Sequence, residues 1–150
     1  MSKPKFVYVI YIRTTPEKLW EALTRPEFMK VYWWGAWRDC EMRVGARWKL
    51  IYSDGTVCDT GEVLDMDPPR RLVLAWQNEF KPELKAEGVS RATFVIEPAG
   101  ATVKLTVTHE IGLDRSKFID AVSGGWPMVL ASLKTFLETG APLPDPRKPT

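Results

Sequence analysis

The sequence is short of most residue patterns that announce chemistry. It has one histidine, His109, and two cysteines, Cys40 and Cys58, with no CxxC spacing. That set makes no zinc pattern. With no export signal, reduced thiols in a cytoplasmic setting are expected. There is no GxGxxG, no P-loop and no GxSxG, so nucleotide phosphates and a serine nucleophile find no recognisable cradle. Ser123 before Gly124-Gly125 is not a nucleophile elbow. The residues call for no cofactor and no metal. No apolar run approaches the ~20 residues that cross a bilayer. The apolar start turns polar by Arg13 with no small-residue cleavage site after it, so a signal peptide is not expected. Twenty-one basic and 19 acidic side chains leave a net charge of +2. They are scattered, and without a basic stripe a nucleic-acid partner or charge-driven membrane binding is not expected.

What is abundant is tryptophan, seven in 150 residues, with Trp33, Trp34 and Trp37 in one short stretch. Each such ring has roughly 150–250 Å² of surface to bury. The set either fills a core or lines an aromatic cavity.

The length suits one domain with its own core, expected over residues 1–140 with a proline-rich tail at 141–150 that frays. "KFVYVIYI" (5–12) reads as a strand buried on both faces. Thr15 then caps a helix with Pro16 at its first position and Glu17 favourable to its dipole. Pro26 stops that helix and starts a second short one. From Trp37 to Ile111 the pattern is short strands and turns. Trp48, Leu50 and Tyr52 share one face, and so do Leu72, Leu74 and Trp76. Asp54-Gly55 is a hairpin turn. A polar loop is expected over about 79–87. The stretch after Ile111 carries a 3.6-residue apolar period through Trp126, Val129, Leu130, Leu133, Phe136 and Leu137, and Gly140 stops it. Pro127 inside a helix costs about 3 kcal/mol. Two helical segments hinged at Gly124-Gly125 are therefore expected, with Asp114 as a candidate cap of the first.

Strands grouped after helices give an α+β fold. The expected form is a helix grip: a curved antiparallel sheet of about six to seven strands around a long C-terminal helix, with two short helices after the first strand. In this order "TTPEKLWEALTRPE", "WW", "RVGARWKL", "DGTVCDTGEVLDMDPPRRLVLAW", "TFVIEPAGATVKLTVTH" and "GGWPMVLASLKTFLE" resemble the activator of heat-shock protein 90 ATPase homologues of the START-like (SRPBCC, polyketide cyclase and lipid-transport) superfamily. Gly45-Ala46 stands where the family commonly has two glycines, and Pro127 is unusual in its last helix. The resemblance implies a hydrophobic cavity between sheet and helix. It implies binding of a small apolar or amphipathic ligand, or cyclase- or hydrolase-type chemistry, or a chaperone partner and a stress-response role. Co-chaperone members add a chaperone-binding domain; with 150 residues none is expected here, which weakens the co-chaperone reading. A monomer or a homodimer fits equally.

The candidate ligand-binding residues are Trp34, Trp37, Trp48, Tyr52, Trp76, His109 and Trp126; Trp20 is expected to fill the core. His109 shares strand parity with Val103, Leu105, Val107 and Ile111 and so faces inward. There it is either an acid/base, the one catalytic candidate, or a neutral hydrogen-bonded core residue. Asp39 and Glu41 share a strand face and are either paired acid/base carboxylates or a solvated edge beside Arg38, Arg43 or Arg47.

Overall fold

A computed structural model describes residues 3–148. The chain runs β1 (Lys5–Ile12), α1 (Pro16–Thr24), α2 (Pro26–Tyr32), β2 (Trp37–Asp39), β3 (Arg47–Ile51), β4 (Val57–Asp67), β5 (Arg71–Asn78), α3 (Pro82–Lys85), β6 (Ser90–Ala99), β7 (Thr102–Glu110) and α4 (Lys117–Thr139). One antiparallel sheet of seven strands has the order β1-β7-β6-β5-β4-β3-β2. Helix α4 lies across its inner face, and α1 and α2 close one end. This is the expected helix grip. No described helix is long and apolar enough to cross a membrane.

Local chemistry explains the boundaries. Thr15 accepts a hydrogen bond from the Lys18 amide at 3.2 Å, and Pro16 begins α1. After Asp54-Gly55 turns the β3–β4 hairpin, Gly55 takes a positive φ of 88°. Alternation decides the sheet's faces: on β7, Val103, Leu105, Val107 and His109 are buried while their neighbours are half-exposed.

Several expectations are corrected. Strand β1 is an edge strand with one wet face, where Val7, Val9 and Tyr11 are exposed; an antiparallel sheet needs cover on one face only. The loop after β5 contains α3, a single turn whose Leu84 is buried. Helix α4 is unbroken from Lys117 to Thr139, with Pro127 inside it. There is no hinge at Gly124-Gly125. The loss of one backbone bond at Pro127 is outweighed by burial of Phe118, Ile119, Trp126, Val129, Leu130 and Leu133, each worth roughly 1.5–3 kcal/mol. Its cap is Ser116, not Asp114: Ser116 Oγ accepts from the Ile119 amide at 2.9 Å. Asp114 instead pairs with Lys3 on the surface. Glu87, some thirty residues earlier in the chain, adds a second cap, accepting from Ser116 Oγ at 2.6 Å and the Lys117 amide at 2.8 Å. A carboxylate there meets the positive end of the helix dipole.

Asp39 and Glu41 do not share a strand, because β2 ends at Asp39. Glu41 pairs with Arg43 in solvent at 3.2 Å. Arg38 turns inward instead, donating to the Leu23 carbonyl at 2.8 Å and lying over the Trp48 ring. The paired-carboxylate reading falls with this geometry. The tail also behaves differently from its composition. Trp34 Nε1 donates to the Leu143 carbonyl at 2.7 Å, and Arg147 lies over the Trp34 ring at 5.1 Å.

Candidate functional site

The inner face of the sheet carries a column of rings. Trp126, from α4, is its centre: Trp33, Trp76 and Phe94 all meet it edge-on at 5.6–5.7 Å. Trp76 meets Trp48 edge-on at 4.6 Å and His109 at 5.5 Å. Edge-on pairs of this kind add about 0.5–1.5 kcal/mol beyond burial.

One missing side chain makes the Trp48–Trp76 contact possible. Gly61 on β4 pairs with Trp48 on one side and with Trp76 on the other. A Cβ at Gly61 would collide with the Ala75 carbonyl and come within 2.7 Å of the Trp48 ring. The two rings use the room the glycine leaves.

At one end of the column the chemistry is dry. His109 is fully buried. Trp126 Nε1 donates to its Nδ1 at 3.1 Å, and Ser90 Oγ lies 2.8 Å from Nε2. Since Nδ1 accepts, Nε2 carries the proton and donates to Ser90, whose hydroxyl donates on to the Trp76 carbonyl at 2.8 Å. Burial lowers the imidazole to about 3, so the ring is neutral at physiological pH. Both nitrogens are engaged, and neither is open to a substrate.

At the other end a cavity of about 160 Å³ opens between sheet and α4. Its apolar walls include Trp33, Trp34, Leu50, Trp76, Leu84, Phe118, Trp126 and Val129, and its polar edge is Tyr52, Asp59, Asn78 and Arg147. Four of the sequence-nominated residues, Trp34, Tyr52, Trp76 and Trp126, meet here. Trp48 and His109 stand behind the wall, buried, and Trp37 lies elsewhere, under Lys30 at 4.9 Å.

Trp34 holds the mouth in an uncommon backbone state, φ 52°. Such a conformation costs on the order of 1 kcal/mol or more in a bulky residue. It follows the C-cap of α2, and its half-buried indole packs on the rim of the core and meets the tail.

Asp59 is the residue the sequence did not disclose. It is only 9% exposed, and its Oδ1 accepts from Asn78 Nδ2 at 3.3 Å. Burial pushes its carboxyl up to about 6, against hydrogen bonds from Trp76 and Asn78, with the Glu79 charge adding to the rise. Pairing between β3 and β4 slips at this point: Leu50 faces Asp59, but Ile51 faces Val57. Asp59 shares strand parity with Gly61 and Val63 and so faces inward, opposite Leu50; Cys58 is the extra residue of the bulge, so it is buried beside Asp59 while Val57 is exposed. No group of three or more potential metal ligands occurs among the described residues.

Residues 13–138 match the profile of the family described as Activator of Hsp90 ATPase homolog 1-like protein. The chain belongs to that family. Among solved structures it is similar to protein MLL2253 from Mesorhizobium loti, at 26% identity and a TM-score of 0.76 over 89% of this chain and 96% of that one. It is also similar to CalU16 from Micromonospora echinospora, at 23% identity and 0.72 over 91% and 77%. The Aha1 protein of Colwellia psychrerythraea, described as a dimer in solution, matches at 22% identity and 0.71 over 91% and 97%. The latter two likenesses establish the fold alone. No curated protein matches the sequence significantly.

Proposed function

We propose that this member of the Activator of Hsp90 ATPase homolog 1-like family binds a small hydrophobic or amphipathic molecule in the cavity between the sheet and α4. The observation that carries this is the make-up of the cavity: rings from the α2 end, β5 and α4 surround a single buried carboxylate, Asp59. Few polar groups set in an apolar concavity are what fix the orientation of a small ligand. Of the residues nominated from sequence, Trp34, Tyr52, Trp76 and Trp126 are the contact residues in this proposal. Trp48 and His109 hold the wall, and Trp37 takes no part. A cyclase- or hydrolase-type reaction at His109 has no geometric support, because its nitrogens are spent on Trp126 and Ser90. Both cysteines are free, which fits a reducing, cytoplasmic setting.

The test is titration with an apolar naphthalene dye, followed by tryptophan fluorescence. Saturable quenching near one-to-one stoichiometry is expected. It should vanish in Gly125→Leu, which fills the cavity from α4, where Gly125 has open space beside it. A folded protein that binds no member of a broad apolar panel refutes the proposal. A second reading, a chaperone-interacting module, draws on the exposed row of Val7, Val9 and Tyr11 on edge strand β1. A chaperone pull-down lost on changing Val9 and Tyr11 to lysine would favour it.

A further inference from the structure

We propose that the molecule seated in this cavity carries one cationic nitrogen, an ammonium or alkylated amine on an apolar body, held between the Asp59 carboxylate and the faces of the surrounding rings. This rests on the cavity being a binding site, as proposed above.

Three independent features point the same way. Asp59 is buried, it lines the cavity, and no ion pair reaches it among the described residues. A carboxylate withdrawn from water without a counter-cation is costly, and a cation arriving beside it removes that cost. Its other neighbours do not supply the charge. Helix α4 offers only uncharged residues such as Ala121, Val122 and Met128, and α3 offers Leu84. Glu79 adds negative charge, and burial raises the Tyr52 phenol above its ordinary value, so that it stays neutral. The second feature is the rings. The face of an indole or phenol attracts a cation by its quadrupole, and a cage of several rings is selective for alkylated ammonium. The third is that the chain already places a cation there. The Arg147 guanidinium lies over Trp34 at 5.1 Å on the rim of this cavity, steadied by Asp145 at 2.9 and 3.0 Å. Arg147 is a stand-in at the mouth for the charge that the interior lacks. Its position on the tail lets it leave when a ligand arrives.

Isothermal titration of the full chain with three probes of one shape tests this: naphthylethylamine, naphthylethanol and naphthylacetate. At neutral pH the amine should bind about tenfold tighter than the alcohol, as expected for a desolvated cation on rings beside a carboxylate, and the acetate should bind worst. Asp59→Asn keeps the partner of Asn78 and should remove most of the amine's advantage over the alcohol. Arg147→Gln should tighten the amine several-fold by removing its competitor. Lowering the pH of the native protein to about 5, where Asp59 is mostly protonated, should erase the preference without any substitution. Equal binding of amine and alcohol to the native protein, a preference for the acetate, or an amine preference undiminished in Asp59→Asn overturns the proposal and leaves the cavity reading standing. Binding of none of the three overturns both.

Discussion

Replacing Gly124 and Gly125 together by alanine separates what local propensity says from what the fold does. Two glycines beside a proline read as a hinge, and a hinge would be damaged by alanine. In the structure both glycines lie inside an unbroken helix from Lys117 to Thr139. A Cβ built on either meets nothing within 4 Å, and neither has a positive φ. Glycine inside a helix is about 0.8–1.0 kcal/mol less favourable than alanine, mostly because the unfolded chain has more freedom to lose. The double variant should therefore be more stable by about 1.5–2 kcal/mol. For a chain of this length each kcal/mol moves the melting temperature by roughly 2–4 °C, so a rise of about 3–8 °C is expected. Differential scanning calorimetry and helical circular dichroism read the outcome. The dye should still bind within about threefold, because of the two glycines only Gly125 lines the cavity and one methyl group does not fill it. A fall in melting temperature, with loss of helical signal, would show that α4 depends on bending there and would refute the reasoning.

Gly61→Ala should act in the opposite sense, lowering stability by about 3 kcal/mol or more, since the clash includes the Ala75 backbone and no rotamer relieves it; an unchanged melting curve would mean the two tryptophans are not held in contact. Glu87→Ala removes the acceptor of Ser116 Oγ and the Lys117 amide and should cost about 1–2 kcal/mol at the start of α4, read by hydrogen exchange at Lys117–Asp120. Acid should act on His109 and Asp59 with opposite sign. The folded imidazole, at about 3, binds its proton less readily than the unfolded one, so its share of stability is lost as pH falls below ~6.5, about 2 kcal/mol by pH 5. The folded Asp59 carboxyl, raised to about 6, binds its proton more readily than the unfolded one, so acidification from neutral to pH 5 returns about 1 kcal/mol. Asp59→Asn should steepen the acid loss of stability and His109→Gln should flatten it, and two variants with the same pH profile would contradict the assignment.

Most of the fold was legible because its signals are local and periodic. Leu72, Leu74 and Trp76 mark the inner face of β5 by alternation, Thr15 and Pro16 mark the head of α1, and Gly140 marks the end of α4 with φ 87°. The errors lie where a distant contact overrides a local preference. Pro127 and the two glycines say "break", but the apolar stripe of α4 has a whole sheet to cover and stays intact. Glu87 caps a helix that begins thirty residues later, which no window of sequence contains. Half of the site was equally plain: inward parity gave Trp76, and the helical period gave Trp126. The other half lay in one strand position and in the tail. Asp59 shares parity with Gly61 and Val63, so alternation faces it inward; what no window of sequence contains is that α4 leaves a cavity at that point. Arg147 lies in a proline-rich stretch whose composition reads as loose, and the indole of Trp34 together with Asp145 gives it a place.

The two titratable groups of the ring column do different things because water reaches them differently. His109 has no exposure and spends both nitrogens on fixed partners. Its bond to Trp126 Nε1 holds the indole that lines the cavity, so in the proposed binding function its part is to position that wall. Asp59 has only neutral partners, Asn78 at 3.3 Å and the Trp76 indole, and opens onto the cavity. A carboxylate so placed lacks a counter-charge, which in the proposed binding function makes it the group that discriminates among occupants. Gly61 lies between them on β4: by letting Trp48 and Trp76 meet, it fixes Trp76, which touches His109 on the dry side and lines the cavity beside Asp59 on the wet side. A change at His109 should therefore reach the ligand through the pose of Trp126 and weaken all occupants alike. A change at Asp59 should alter which occupant is preferred. Uniform loss in one variant and altered preference in the other is the pattern that a rigid wall and a reading group must produce.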